Sequence, residues 1–220
     1  MKKVTTRRHR ALRNIAIAVI VIVLHSCISY YSLTQMMALK YAKERVGIYD
    51  ETEVVTMQRV PELHRFHHLY MIENENTVAL SSVILRFIGW EGGFAWPVDC
   101  TQDRPLHFGA VRMNHSGENK GNAIIFFYGR IDDKSIERIE LLEVTTEYSS
   151  AEDEIVFKDI ISSIESPRSE WMEKDGHYYF LEKIKATDNW SAQHHIRAYD
   201  GDGAVVYESQ SDNQSGVSWG

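Results

Sequence analysis

Cysteine is nearly absent. Cys27 and Cys100 are the only two in 220 residues, and Cys27 lies in an apolar leader, so no disulfide can form within the part that follows. A secreted eukaryotic domain of this size more often carries several. A surface protein exported from a single-membrane bacterial cell is the easier fit. Acidic residues are missing from the first 33 positions altogether. The chain also lacks a phosphate-cradling glycine loop, a serine nucleophile elbow, a paired metal motif and a kinase signature. These absences remove the enzyme classes that announce themselves by motif and leave only scattered residues as carriers of chemistry.

What is present is asymmetric. Lys2, Lys3, Arg7, Arg8, Arg10 and Arg13 precede the apolar run Ile15–Leu24, which continues without charge to Leu33. The segment 15–33 has 19 residues (33 − 15 + 1), close to the ~20 that cross a hydrocarbon core as a helix. Three readings compete. An uncleaved single-pass anchor is preferred, because apolar character persists past Leu24 and Tyr30 and Tyr31 suit a membrane–water interface. A cleaved signal peptide suits the short core Ile15–Leu24, but no small-x-small site follows it. A lipoprotein is the third reading, since Leu24-His25-Ser26-Cys27 is similar to a degenerate lipobox, with Cys27 as the lipidated residue. The basic cluster places the N-terminus in the cytoplasm and the remainder outside it.

All 31 acidic residues follow Leu33, together with 18 of the 24 Lys and Arg. The external part therefore carries 18 − 31 = −13, against −7 for the whole chain. Such a surface repels nucleic acid, and no nucleic-acid partner is expected. It would attract cations or basic partners, although a solvated acidic coat is the plainer reading.

The pattern predicts a mainly β protein in six stretches. These are a cytoplasmic basic leader (1–14), a transmembrane anchor (15–33), a stalk helix and linker (34–50), a β-rich α+β or meander region (51–122), a β-sandwich-like unit (123–209) and a flexible tail (210–220). Good helix formers from Thr34 to Val46, with Gly47 as a stop, predict the helix, either as a stalk or packed on the first sheet. Val54–Val60, His64–Ile72 and Thr77–Ile88 read as strands, the last two joined by the polar tip Glu73–Asn76. Gly89–Gly93 breaks the pattern, and a loop with Pro97 and Pro105 is expected after it. Asn114–Asn122 is the best internal boundary. Beyond it, Ala123–Tyr128 has the continuous apolar texture of a buried central strand, and Ile136–Val144 reads as another. Asp175-Gly176 and Asp200–Gly203 mark two hairpins.

Three segments here are similar to a known pattern: Tyr128–Leu141 with its Gly129-Arg130, Lys174-Asp-Gly-His-Tyr-Tyr-Phe180, and Ile196–Val206 with Tyr199-Asp-Gly-Asp-Gly203. Together they resemble an immunoglobulin-like β-sandwich module of uncharacterised, membrane-anchored surface proteins from Bacillus-type bacteria. The resemblance implies location and fold, and carries no catalytic residues.

Several constellations are candidate sites. His64, His67 and His68 form the densest set of metal-type ligands. On a strand, however, His64 and His68 share one face and His67 the other, whereas zinc needs three or four converging ligands. Cys100 lies near Asp99, Asp103 and His107, without a recognised cysteine-enzyme signature. Trp90, Phe94 and Trp96, with Gly92 and Gly93, could form an aromatic platform for a sugar or peptide, or pack as core. Asp200–Gly203 lacks the ligand spacing of a calcium loop.

The expectation that follows is a protein of the cell membrane, single-pass, with its C-terminal domain extracytoplasmic. It requires no cofactor and serves as a non-catalytic binding or envelope-associated module, its partner an envelope protein or cell-wall component. The alternatives are a metal-dependent or cysteine hydrolase at the outer membrane face and a structural subunit of a membrane complex.

Overall fold

The computed structural model describes residues 7–28, 31–87, 89–114, 123–149, 154–186 and 193–210. Helix α1 (Arg7–Ile28) leads into strand β1 (Tyr31–Ser32) and helix α2 (Gln35–Glu44). Then come β2 (Glu53–Arg59), β3 (His67–Asn74), β4 (Thr77–Arg86), β5 (Gly89–Asp99) and β6 (Leu106–Met113). The second half supplies β7 (Ile124–Ile131), β8 (Arg138–Ser149) and β9 (Glu154–Pro167). It ends with β10 (Met172–Lys174), β11 (His177–Lys185), β12 (Gln193–Tyr199) and β13 (Val205–Gln210). The mainly β expectation holds. Three antiparallel sheets form, ordered β1-β5-β4-β3-β2, β10-β11-β7-β6 and β13-β12-β8-β9.

Side-chain alternation explains how the sheets stack. In the middle sheet, Leu106, Phe108, Ile125, Phe127 and Phe180 face the third sheet's Ile139, Leu141 and Ile196. Their sequence neighbours Val111, Phe126, Tyr128 and Tyr179 face the first sheet's Leu69, Met71, Leu80 and Trp96. Both faces of β7 are thus covered, which is why its sequence is apolar without interruption. Each such buried Phe or Leu contributes about 1.5–3 kcal/mol of transfer free energy. On the outer face of the first sheet, Tyr70, Ile72, Ala79 and Val83 pack against Ala38 and Leu39 of α2. The domain is therefore four layers deep: helix, sheet, sheet, sheet. The middle and third sheets make a β-sandwich.

Helix α2 starts where the Thr34 hydroxyl accepts the Met37 N–H at 3.2 Å. It ends before Gly47, whose φ of 85° suits glycine. It lies on the first sheet and does not stand off as a stalk. At the expected internal boundary, residues 115–122 lie outside the described residues, but β6 before it pairs with β7 after it from Leu106↔Ile131 to Met113↔Ile124. The regions 51–122 and 123–209 consequently share one sheet and one core. The Asp175-Gly176 hairpin forms as its dipeptide implies, with φ of 51° and 85°. At the other hairpin, the Asp200 carboxylate accepts from the N–H groups of Asp202 and Ala204, at 3.0 and 2.8 Å. That is turn chemistry, as its sequence suggested.

Two expectations require correction. The segment from Gly89 to Pro97 is strand β5 and not a loop. Its register against β4 passes from Ser81↔Ala95 to Val83↔Gly92, so β5 holds one extra residue there, a β-bulge. A Cβ on Gly92 would stand 2.2 Å from the Ala38 carbonyl oxygen, so glycine at the bulge is what lets α2 seat on the sheet. The second correction concerns the leader. Tyr31 and Ser32 pair with Glu91 and Trp90 of β5, and Ser32 is buried. The helix therefore stops at Ile28, and residues 31–33 belong to the domain.

Among the described residues, no helix is long and apolar enough to cross a membrane. The large apolar side chains of α1 from Leu12 to Leu24 are nevertheless 39–64% exposed. Met1–Thr6, the Cys27 side chain and the tail from 211 to 220 lie outside what is described; Gln210 ends β13.

Candidate functional site

A cleft of about 920 Å³ opens between α2, the start of β2 and the end of β3. It lies within the range of small-ligand sites, roughly 300–1,000 Å³. Seven Asp and Glu side chains line it against four Lys and Arg, so its field favours cationic or hydrogen-bond-donating groups. Its floor is a charged network that ties the first sheet to the middle one. Glu73, at the end of β3 and 9% exposed, accepts from Lys174 Nζ at 2.6 Å and from the Tyr179 hydroxyl. Lys174 also reaches Glu53 at 2.7 Å. Burial alone would weaken the Lys174 ammonium, but its bonds to Glu53 and Glu73 outweigh that and raise its pKa. Burial, reinforced by Glu73, pushes the Tyr179 phenol up, so it stays a donor.

Beside this pair lies a carboxylate that gathers three cationic or imidazole partners. Asp132 Oδ1 is 2.8 Å from Arg130 Nε and 2.6 Å from His177 Nδ1, while its Oδ2 is 3.4 Å from His107 Nε2. Burial opposes ionisation of Asp132, yet the bonds from His107 and Arg130 prevail and bring its pKa to about 2. Arg130 is fixed in turn by the carbonyls of Glu75 and Cys100, at 3.2 and 3.4 Å. Asp132 thereby fixes the His177 ring through Nδ1. His177 is 40% exposed at the side chain and lines the cleft. Among the described residues lining the cleft, none is Ser or Cys, so no thiol or serine nucleophile stands next to it.

The residues singled out by sequence lie elsewhere. His64 precedes β3 and its Nδ1 accepts the Phe66 N–H at 3.3 Å. His67 faces the interior and shares a 2.7 Å hydrogen bond with the Ser82 hydroxyl. His68 points the opposite way, 3.3 Å from Gln35 Nε2 and edge-on to Trp90 at 5.4 Å. Burial lowers the His67 pKa to about 4. Burial, then Arg59, lowers that of His68. The three rings do not converge, and among the described residues no group of three or more His, Cys, Asp or Glu could hold a metal ion.

The bulge also divides the tryptophans. Trp90 packs under α2, whereas Phe94 and Trp96 pack into the core between the first and middle sheets. Trp96 is 7% exposed and its carbonyl accepts the Tyr128 hydroxyl at 2.7 Å. The three rings therefore share no common face. Cys100 is a buried thiol with its pKa pushed up to about 11, chiefly by burial.

Sequence reasoning counted His107 and His177 only among distant ligand candidates for the His64–His68 set, and missed the carboxylates and Lys174 that build the cleft. Glu73 meets its partners across 101 and 106 positions of sequence, and Asp132 meets His177 across 45. No local spacing encodes such meetings. The only hint was that Arg130, Asp132 and Lys174–His177 lie at strand ends, where turns gather. The chain matches no protein-family profile, no curated protein and no solved structure.

Proposed function

We propose that the chain is a single-pass membrane protein that holds an extracytoplasmic β domain at the outer face of the cell membrane. The observation that carries this is α1. Its large apolar side chains remain exposed, and its main contact with the rest of the chain is the two-residue strand β1. A helix with that surface is costly in water and stable in lipid. α1 by itself falls short of a full crossing, so this reading needs the span to shift toward the N-terminus and the bilayer to thin around it. Ala11–Ile28 gives 18 residues (28 − 11 + 1), about 27 Å at 1.5 Å per residue, with Arg13 reaching back to the cytoplasmic interface. A lysine at Ile20 would add about 2.5–3.5 kcal/mol to insertion. Ile20→Lys should therefore move the protein from alkali-washed membranes into the soluble fraction. An unchanged distribution would contradict the anchor.

The domain's work in this proposal is binding without catalysis, to an envelope protein or a cell-wall component presenting cationic or donor groups. The support is the acidic cleft, which replaces the Trp90–Trp96 segment as the binding face. The hydrolase alternative has less support, because His64, His67 and His68 diverge and Cys100 is a buried neutral thiol. The immunoglobulin-like assignment of 123–209 belongs to the same proposal, supported by two facing antiparallel sheets. Reversing charge at two carboxylates that line the cleft, in a Glu51→Lys, Glu75→Lys double variant, should weaken low-salt retention on isolated envelopes several-fold. Full retention would remove the cleft from the account.

A further inference from the structure

We propose that the β1 edge of the domain lies on the lipid surface, with Phe87 and the stripe Leu33, Met37 and Tyr41 as its contacts. The inference rests on the anchor reading above and adds an orientation to it. Only Ser29 and Tyr30 separate the end of α1 from β1, so the Cα atoms of Ile28 and Tyr31 lie within about 11 Å of each other. The strand they lead into is the outermost of the first sheet and pairs with β5. The bilayer is therefore the nearest partner this edge has, held there by a very short tether.

The chemistry of the edge fits that neighbour. Phe87 tips the β4–β5 hairpin, one residue past the Arg86↔Gly89 pair, and is 103% exposed. The tip stands over β1, since a Cβ on Gly89 would lie 3.5 Å from Tyr31 Cβ and 2.9 Å from the Ser32 oxygen. Leu33 follows directly, and Met37 and Tyr41 continue it one and two turns along; the three are 53%, 44% and 46% exposed. Their flank of α2 is the one from which Arg45, a turn further on, donates to the Gly92 carbonyl of β5 at 3.2 Å. The other flank, with Met36, Lys40 and Lys43, lines the cleft. An aromatic tip beside a Leu-Met-Tyr stripe suits the boundary between headgroups and acyl chains. The external part as a whole, formally −13, is repelled by anionic headgroups, so an apolar edge that carries Arg45, and where Glu91 offsets Arg86 at 2.9 Å, is the side that settles. Docked in this way, the domain turns its acidic cleft away from the lipid.

The test uses the full chain in phospholipid vesicles, with the photocrosslinker p-benzoylphenylalanine placed at Phe87 or at Val205. Val205 is a comparable exposed position, 53%, on the third sheet, the layer farthest from α2. After irradiation, mass spectrometry should find acyl-chain adducts at position 87 at least ten-fold above those at 205. Equal yields at the two positions, with the protein still in the alkali-washed vesicle pellet, would overturn the docking while leaving the anchor intact. A crosslinked dimer at 87 in place of lipid adducts would also overturn it, in favour of a second copy. Loss of the protein from the pellet would defeat the anchor reading and the docking together.

Discussion

Two runs in this chain have nearly the same texture and opposite fates. Ile15–Leu24 in α1 and Ala123–Tyr128 leading into β7 are both apolar without interruption. In the first, the large side chains are 39–59% exposed; in the second, Ile125, Phe126, Phe127 and Tyr128 are fully buried. Apolar sequence states only that a segment must leave water. The surroundings decide how. β7 is eight residues, largely β-branched and aromatic, with sheets on both sides, whereas α1 is a helix of 22 residues over which no layer lies among the described residues.

That contrast predicts separable effects. Phe127→Ala should lower domain stability by about 3–5 kcal/mol, measured by denaturant unfolding, while Ile20→Ala should leave the same transition within about 0.5 kcal/mol. Equal losses at the two positions would mean that α1 packs as core. Next in size is Gly92→Val, whose side chain meets the Ala38 backbone of α2. It should cost about 1–3 kcal/mol as overpacking, read out as early hydrogen exchange in α2 and not in β7.

Acid sharpens the comparison from another side, since among the described residues the buried ionisable groups lie in the domain. His67, His194 and His195 are held near pKa 4, mainly by burial, from an ordinary 6.5. The unfolded chain therefore binds more protons between those values. Stability is complete above about pH 6.5 and falls as pH drops toward 4. His67→Gln, which can still bond Ser82, should flatten part of that decline; a pH profile identical to that of the original protein would show that His67 does not titrate in this way. Glu73→Gln should cost about 1 kcal/mol, at the low end for a buried hydrogen-bonded group, because Lys174 keeps Glu53. It should loosen the first sheet from the middle one, and an unchanged midpoint would remove the network from the list of inter-sheet ties.

The legible parts of the fold were those with local causes. Thr34 and Gly47 bracket α2, Asp175-Gly176 turns its hairpin, and the uninterrupted run at Ala123 marks the central strand. Strand β5 was missed because Gly92 and Gly93, which look like breakers, serve a bulge and the seating of α2. Strand β9 was not expected, because the acidic residues Glu152–Glu154 at its start have the composition of a loop. The cleft was illegible for a different reason: Glu73, Lys174 and Tyr179, like Asp132 and His177, become neighbours only when the sheets stack. Conversely, His64, His67 and His68 are adjacent in sequence and are separated by the alternation of β3.

The most direct test of the central claim is sidedness. The full chain, produced in a single-membrane bacterium, would be exposed to protease on intact protoplasts and followed with an antibody to the domain. The account predicts digestion of the domain without lysis, with the basic N-terminal segment protected. A domain that resists until the membrane is opened with detergent, and is then digested, would contradict it.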